Sequence, residues 1–223
     1  MTVRSYKVRG GRLGPDRAAD LERLWPAYGV TVGDPLLLPA LFGRSAPVVL
    51  EIGSGMGETT VTMAAADPAR DVLAVEVHVP GLANLVARVE AARLTNVRVA
   101  HGDAVELLAG LPVGSLDEVR VFFPDPWPKP KHHKRRLVSP AFAVLVASRL
   151  RPGGLLHAAT DWEPYAASAL AVLHASEDFL IEGYAKRPAW RPVTRFEARA
   201  VAQGRPSCDL LAFRRPLGAV LQG

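Results

Sequence analysis

Three glycines within Glu51-Ile52-Gly53-Ser54-Gly55-Met56-Gly57 are the first place in this chain where residue types and spacing could do chemistry. They follow the short apolar run Val48-Val49-Leu50 and precede a helical pattern from about Glu58 to Ala66. A strand that reverses tightly into a helix with a ligand against its backbone needs glycine, because a Cβ would obstruct both. Taken alone, the triplet fits several nucleotide-like cofactors. The dinucleotide pattern G-x-G-x-x-G requires glycine at position 58, where Glu58 stands. A carboxylate there would also oppose a pyrophosphate at the positive end of the helix. S-adenosylmethionine has no phosphate and carries cationic amino and sulfonium groups, so Glu51, just before the turn, suits it better.

Two further acids close later apolar runs. Glu76 ends the run from Val72, where a carboxylate can accept ribose hydroxyls. Asp103 follows the run Val97 to Ala100 and could meet an adenine edge. Each acid alone is an ordinary solvated loop residue. Three at the ends of three successive strands point instead to the rim where open α/β sheets bind ligands.

A fourth run ends in Phe122-Phe123-Pro124-Asp125-Pro126-Trp127-Pro128-Lys129, whose prolines stiffen the turn that carries Asp125. A basic strip follows at once: Lys129, Lys131, His132, His133, Lys134, Arg135 and Arg136. An anchored carboxylate beside a strip suited to phosphates is electrostatically costly unless the chemistry calls for it. The histidines lack a carboxylate or cysteine at ligand spacing, so no metal is expected. Trp127 and Trp162 could stack on bases or be buried.

Each of these residues needs an element to hold it. The chain has 223 residues, 49% of them apolar and 22% charged, enough for one domain with a full core. Runs at 48–50, 72–77, 97–100, 118–123, 155–159, 179–185 and 209–213 predict seven strands. Helices are expected at 58–66, 81–94, from Ser139-Pro140 to before Pro152, and at 164–175. The alternation predicts a doubly wound α/β fold. Residues 1–20 are expected to be a basic, mobile arm and 21–223 a single domain. The net charge is +5 and the isoelectric point about 9.7. The lone Cys208 allows no intrachain disulfide, and no signal peptide or spanning segment is visible, so a cytoplasmic protein is the simple reading.

These motifs, joined by Val75-Glu76-Val77-His78, by Ala159-Thr160-Asp161-Trp162-Glu163-Pro164-Tyr165 and by Thr194-Arg195-Phe196-Glu197, resemble those of the bacterial tRNA (guanine-N7)-methyltransferases. The resemblance covers roughly residues 21–215. It implies a Rossmann-like class I methyltransferase fold, with a seven-stranded, mostly parallel sheet and an antiparallel C-terminal strand. It implies S-adenosylmethionine as methyl donor, bound by Glu51, Gly53, Gly55, Gly57, Glu76, Asp103 and Asp125, with Asp125 also the active-site acid. Lys129, Asp161, Thr194, Arg195, Phe196 and Glu197 would then meet the substrate, and the residues from Lys131 to Arg136 the tRNA. The methyl acceptor would be N7 of a variable-loop guanine, with no obligate protein partner, the protein acting as a monomer or homodimer. Ser54 departs from the family's usual phenylalanine, and Pro130-Lys131 from a lysine-arginine pair. From the residues alone, Asp161 reads equally as a helix N-cap, and Thr194 with Glu197 as a capping box. An amino-group RNA methyltransferase and a non-catalytic RNA-binding protein on the same scaffold remain as alternatives.

Overall fold

A computed structural model describes residues 4–6, 13–33 and 36–216. Its centre is a parallel sheet of β2 (Val48–Ile52), β3 (Asp71–Glu76), β4 (Val97–His101), β5 (Leu116–Phe122) and β6 (Leu150–Thr160). Every residue of β2 and β3 is buried, as parallel strands covered on both faces require. β9 (Cys208–Arg214) joins antiparallel to β6, in register from Leu155↔Phe213 to Thr160↔Cys208.

Nine strands are present among the described residues, two more than the apolar runs predict. One is β1 (Gly29–Thr31), a short edge strand parallel to β4 and too brief to show a pattern. The other arises because the run 179–185 is broken at Gly183, giving β7 (Phe179–Leu180) and β8 (Tyr184–Ala185), both antiparallel to β9. The spatial order is β1-β4-β3-β2-β5-β6-β9-β7. Between β2 and β5 the chain reverses its direction of travel across the sheet. Ligands of such folds sit beyond the strand ends at that reversal.

Side chains alternate across the sheet and define its two faces. Val49, Val72, Ala74, Val97 and Val99 pack with α1 (Pro15–Tyr28), α3 (Glu58–Ala66) and α4 (Val79–Ala91). Leu50, Leu73, Val75, Val119 and Leu156 pack with α2 (Leu38–Phe42), α5 (Ala104–Gly110), α6 (Pro140–Arg149) and α7 (Glu163–His174). Ser139 caps α6 through a bond from Phe142 N, with Pro140 at the first helical position. Residues 15–20, expected as the end of an arm, are the first turns of α1; residues 1–3 and 7–12, with Lys7, Arg9 and Arg12, lie outside the described residues. No helix among the described residues is long and apolar enough to cross a membrane.

On the first face, β5 and β6 break the apolar pattern. Glu118, Arg120 and His157 alternate with core residues and are themselves buried. Glu51 pairs in register with Arg120, and Arg120 with His157, so the three form a polar row across the sheet. The segment from Lys186 to Pro206 covers this row and contains α8 (Arg195–Ala202). Trp190 lies edge-on to His157 and beneath the Arg120 guanidinium, at 5.3 and 4.6 Å between centres.

Candidate functional site

At the end of β2 the chain turns through Gly53, Gly55 and Gly57, with φ of 77°, 58° and 80°. A Cβ on Gly53 or Gly55 would meet no atom within 4 Å, so these two keep the space above the turn open. Gly57 differs: a Cβ there would strike Leu85 at 2.6 Å, so its absence lets α3 pack on α4. The turn is pinned from below by Gly53 N donating to Val75 O at 2.9 Å.

Two chambers with shared walls open above the turn. The larger, of about 300 Å³, is lined by Glu76, Val77, His78, Gly102, Phe123 and Asp125, among others. The smaller, of about 80 Å³, is lined by Glu51, Ser54, Glu58, Thr194 and Arg195. Phe196 and Met56 border both.

The three rim acids take different parts. Glu51 is 4% exposed, and its Oε2 has no hydrogen-bond partner among the described residues. Burial pushes its pKa up, an effect partly offset by the Thr60 hydroxyl and the Arg120 guanidinium. Glu76 holds the turn itself: Oε2 accepts from Gly55 N at 2.8 Å, and Oε1 from Val77 N and His78 N at 2.7 and 2.9 Å. Of about four lone-pair directions on a carboxylate, three are therefore used. Asp103 caps α5, accepting from Val105 N at 2.8 Å, while its neighbours Gly102 and Ala104 line the larger chamber.

Asp125 enters the larger chamber from the turn after β5, across from the glycine turn. Phe123 and Trp127 on either side have φ of 52° and 47°, a conformation that costs energy in a non-glycine residue. Three bonds hold the turn in place. Phe123 N donates to Ala159 O at 2.7 Å, Trp127 Nε1 to Ser5 O at 2.8 Å, and Arg136 Nε to Pro126 O at 3.1 Å. Trp127 is thus buried, and Ser5 and Tyr6 close one side of the larger chamber.

The basic strip divides in two. Lys131, His133 and Lys134 are exposed on a 3-10 helix, Pro130–Arg135, with Lys129 exposed at its start. Arg135 stacks on Trp127 at 3.7 Å and donates to Arg4 O and Tyr6 O, and His132 lies edge-on to the same indole. Arg136, expected to face RNA, is buried: besides Pro126 O it donates to Pro164 O, over the Tyr165 ring.

The substrate-side residues divide likewise. Thr194 caps α8, accepting from Glu197 N at 3.0 Å, and Arg195 and Phe196 face the chambers. Glu197, expected at the substrate, turns inward at 5% exposure, where Arg191 bonds both its oxygens at 2.7 and 3.3 Å. Asp161 is not the N-cap of α7, a place taken by Trp162; its carboxylate accepts from Arg205 at 2.9 and 3.1 Å.

Sequence reasoning passed over Arg191, His157, Asp209, Ser5 and Tyr6. Arg191 is fully buried and grips Asp209 as well as Glu197, at 2.8 and 2.9 Å. His157 Nε2 lies 2.6 Å from the same Asp209. Burial would raise the pKa of Asp209, but the His157 and Arg191 bonds outweigh it and hold the carboxyl below its ordinary value. Charged residues at alternate positions of β5, Glu118 and Arg120, were the available signal for this polar layer; Ser5 and Tyr6 carry none.

A family model described as "Putative methyltransferase" matches residues 45–210. The tRNA (guanine-N(7)-)-methyltransferase of Streptomyces avermitilis is 53% identical over 96% of this chain and 75% of its own length. That of Nitrosospira multiformis is 49% identical over 97% and 96%. The chain belongs to the tRNA (guanine-N7-)-methyltransferase family. Among solved structures, the 16S rRNA methyltransferase KamB superimposes with a TM-score of 0.55 over 96% of this chain and 99% of its own, at 18% identity. An rRNA methylase from Streptococcus thermophilus gives 0.55 over 77% and 88%, at 13%. These two likenesses concern the fold, the Rossmann-like class I methyltransferase architecture.

S-adenosylmethionine fits this geometry. Glu51 Oε2 offers a buried, unpartnered acceptor for a cation, and Gly53 and Gly55 leave a cradle that side chains would fill. Glu76, with Val77, His78 and Gly102, lines the chamber large enough for the nucleoside.

Proposed function

We propose that this protein methylates N7 of a guanine in tRNA, with S-adenosylmethionine as donor and the variable-loop guanine as acceptor. The observation that carries this reading is the meeting of the Asp125 turn and the glycine turn over one chamber at the β2/β5 reversal, with exposed lysines beside it. The likeness to curated tRNA (guanine-N(7)-)-methyltransferases supports guanine N7 of tRNA as the acceptor.

Bound there, the donor supplies an electrophilic methyl group on a sulfonium. Guanine N7 carries a lone pair and no proton, so this chain needs no general base, and its task is alignment and electrostatics. Asp125 can accept the N1–H and N2–H donors of guanine, which adenine does not offer in that arrangement. Its negative charge also stabilises the purine as it becomes cationic. Phe196, half exposed at the mouth, offers a ring for a base drawn out of its stack. Lys129, Lys131 and Lys134 supply charge for the backbone. Glu51, Gly53, Gly55, Gly57 and Glu76 hold the donor, and Thr194 and Arg195 line the smaller chamber beside it. Asp103, Asp161 and Glu197 act from one step back, through the elements they tie.

Unmodified tRNA incubated with the protein and methyl-labelled donor, then digested to nucleosides, is expected to yield labelled 7-methylguanosine. Asp125→Ala is expected to lose turnover at least a hundredfold, the usual scale for a group that meets developing charge, while keeping tRNA affinity. Label on another nucleoside, or none with the wild type, would overturn the reading.

A further inference from the structure

We infer that Ser54 and Arg195 bind the carboxylate at the amino-acid end of the methyl donor, in the smaller chamber opposite Glu51. The inference rests on the reading above and extends it to an end of the donor on which the transferred methyl does not lie.

Two polar atoms in this chamber's wall are buried without a hydrogen-bond partner among the described residues: Glu51 Oε2 and Ser54 Oγ. Their residues are 4% and 8% exposed. Buried polar groups are nearly always satisfied, so two unmet ones in one small space point to a ligand that meets both. The carboxylate accepts only, and the hydroxyl can donate. A zwitterionic amino acid presents the complementary pair, an ammonium for Glu51 and a carboxylate for Ser54.

The carboxylate also needs a positive charge, and Arg195 is the one basic residue that lines the chamber among those described. Its guanidinium rests on Glu58 Oε1 at 2.5 Å, while Arg88 of α4 bonds the same oxygen at 2.8 Å. The Arg195 side chain is 70% exposed, and exposed pairs of this kind are weak. Arg195 can therefore move its guanidinium onto a ligand carboxylate at small cost, leaving Glu58 neutralised by Arg88. Glu58, which argues against a pyrophosphate, thus acts as the rest position for the arginine.

The test is calorimetric titration of the full chain with two probes. S-adenosylhomocysteine retains the amino-acid end; 5′-methylthioadenosine has the same nucleoside thioether without it. Arg195→Met and Ser54→Ala are each expected to weaken S-adenosylhomocysteine roughly tenfold or more, the scale of one charge-assisted bond. Affinity for 5′-methylthioadenosine should change less than twofold, which also reports that each variant is folded. Equal losses for both probes, or no loss for either, would overturn the inference. If the wild type binds neither probe, the reading of these chambers as a methyl-donor site fails instead.

Discussion

Glu51 is held in the chamber at a cost to the fold. Burial favours the neutral form of this carboxylate by more than the Thr60 hydroxyl and the Arg120 guanidinium offset, and its Oε2 has no partner among the described residues, which is why its pKa is raised. The sign of the consequence follows. Below the ordinary carboxylate range both folded and unfolded chains are protonated there, and Glu51 costs nothing. As pH rises through that range the unfolded chain ionises first, and folding loses stability until the raised pKa is passed. Glu51→Gln is therefore expected to raise the melting temperature of the ligand-free protein at pH 7 by about 2–4 °C per kcal/mol relieved. The gain should vanish near pH 4, and the same variant should lose donor binding. Scanning calorimetry at the two pH values checks it; a lower melting temperature at pH 7 would sink the account. Glu51, Glu76 and Asp125 were legible in the sequence because each ends an apolar run that fixes its place on the rim. Glu197 and Arg136 were not. Their facing is decided by Arg191 and by the carbonyls of Pro126 and Pro164, and no local pattern announces such partners.

Among the elements, the covering segment 186–206 depends most on one residue. Arg191 bonds both oxygens of Asp209 on β9 and both of Glu197 on α8, and its guanidinium lies 5.4 and 5.7 Å from the rings of Phe122 and Phe123. It thereby sets α8 against the turn that carries Asp125. Removing one partner of a buried ion network leaves the others charged and uncompensated, which costs about 3–5 kcal/mol. Arg191→Met is expected to lower stability to urea by that amount, and Arg191→Lys by less, since it keeps the charge but loses the paired bonds. A loss below 1 kcal/mol for Arg191→Met would show that α8 is held by something else. The central strands were readable because buried parallel strands are continuous apolar runs. α1, α2, α5 and β1 were missed: they are short, or polar over most of their length, and take their form from what they pack against; α8 was announced only by the capping pair Thr194 and Glu197.

Over the whole molecule, a net charge of +5 matters less than where the mobile cations stand. Arg135 and Arg136 are committed to the protein's own carbonyls, so the strip contributes its lysines. Lys131→Ala with Lys134→Ala is expected to weaken tRNA binding and to reduce the slope of log affinity against log salt by about 1.5, roughly 0.7–0.9 per phosphate contact. An unchanged slope, measured by filter binding across a salt series, would place the RNA on another face. Trp127 and Arg135 contact residues 4 to 6 through carbonyl oxygens of Arg4, Ser5 and Tyr6. A grip on the peptide backbone does not read side chains. Random replacement of those three residues should therefore leave the segment attached, whereas Trp127→Ala with Arg135→Ala should release it. Over generations residues 4–6 are free to drift in spelling, while the indole and the guanidinium that hold them are not.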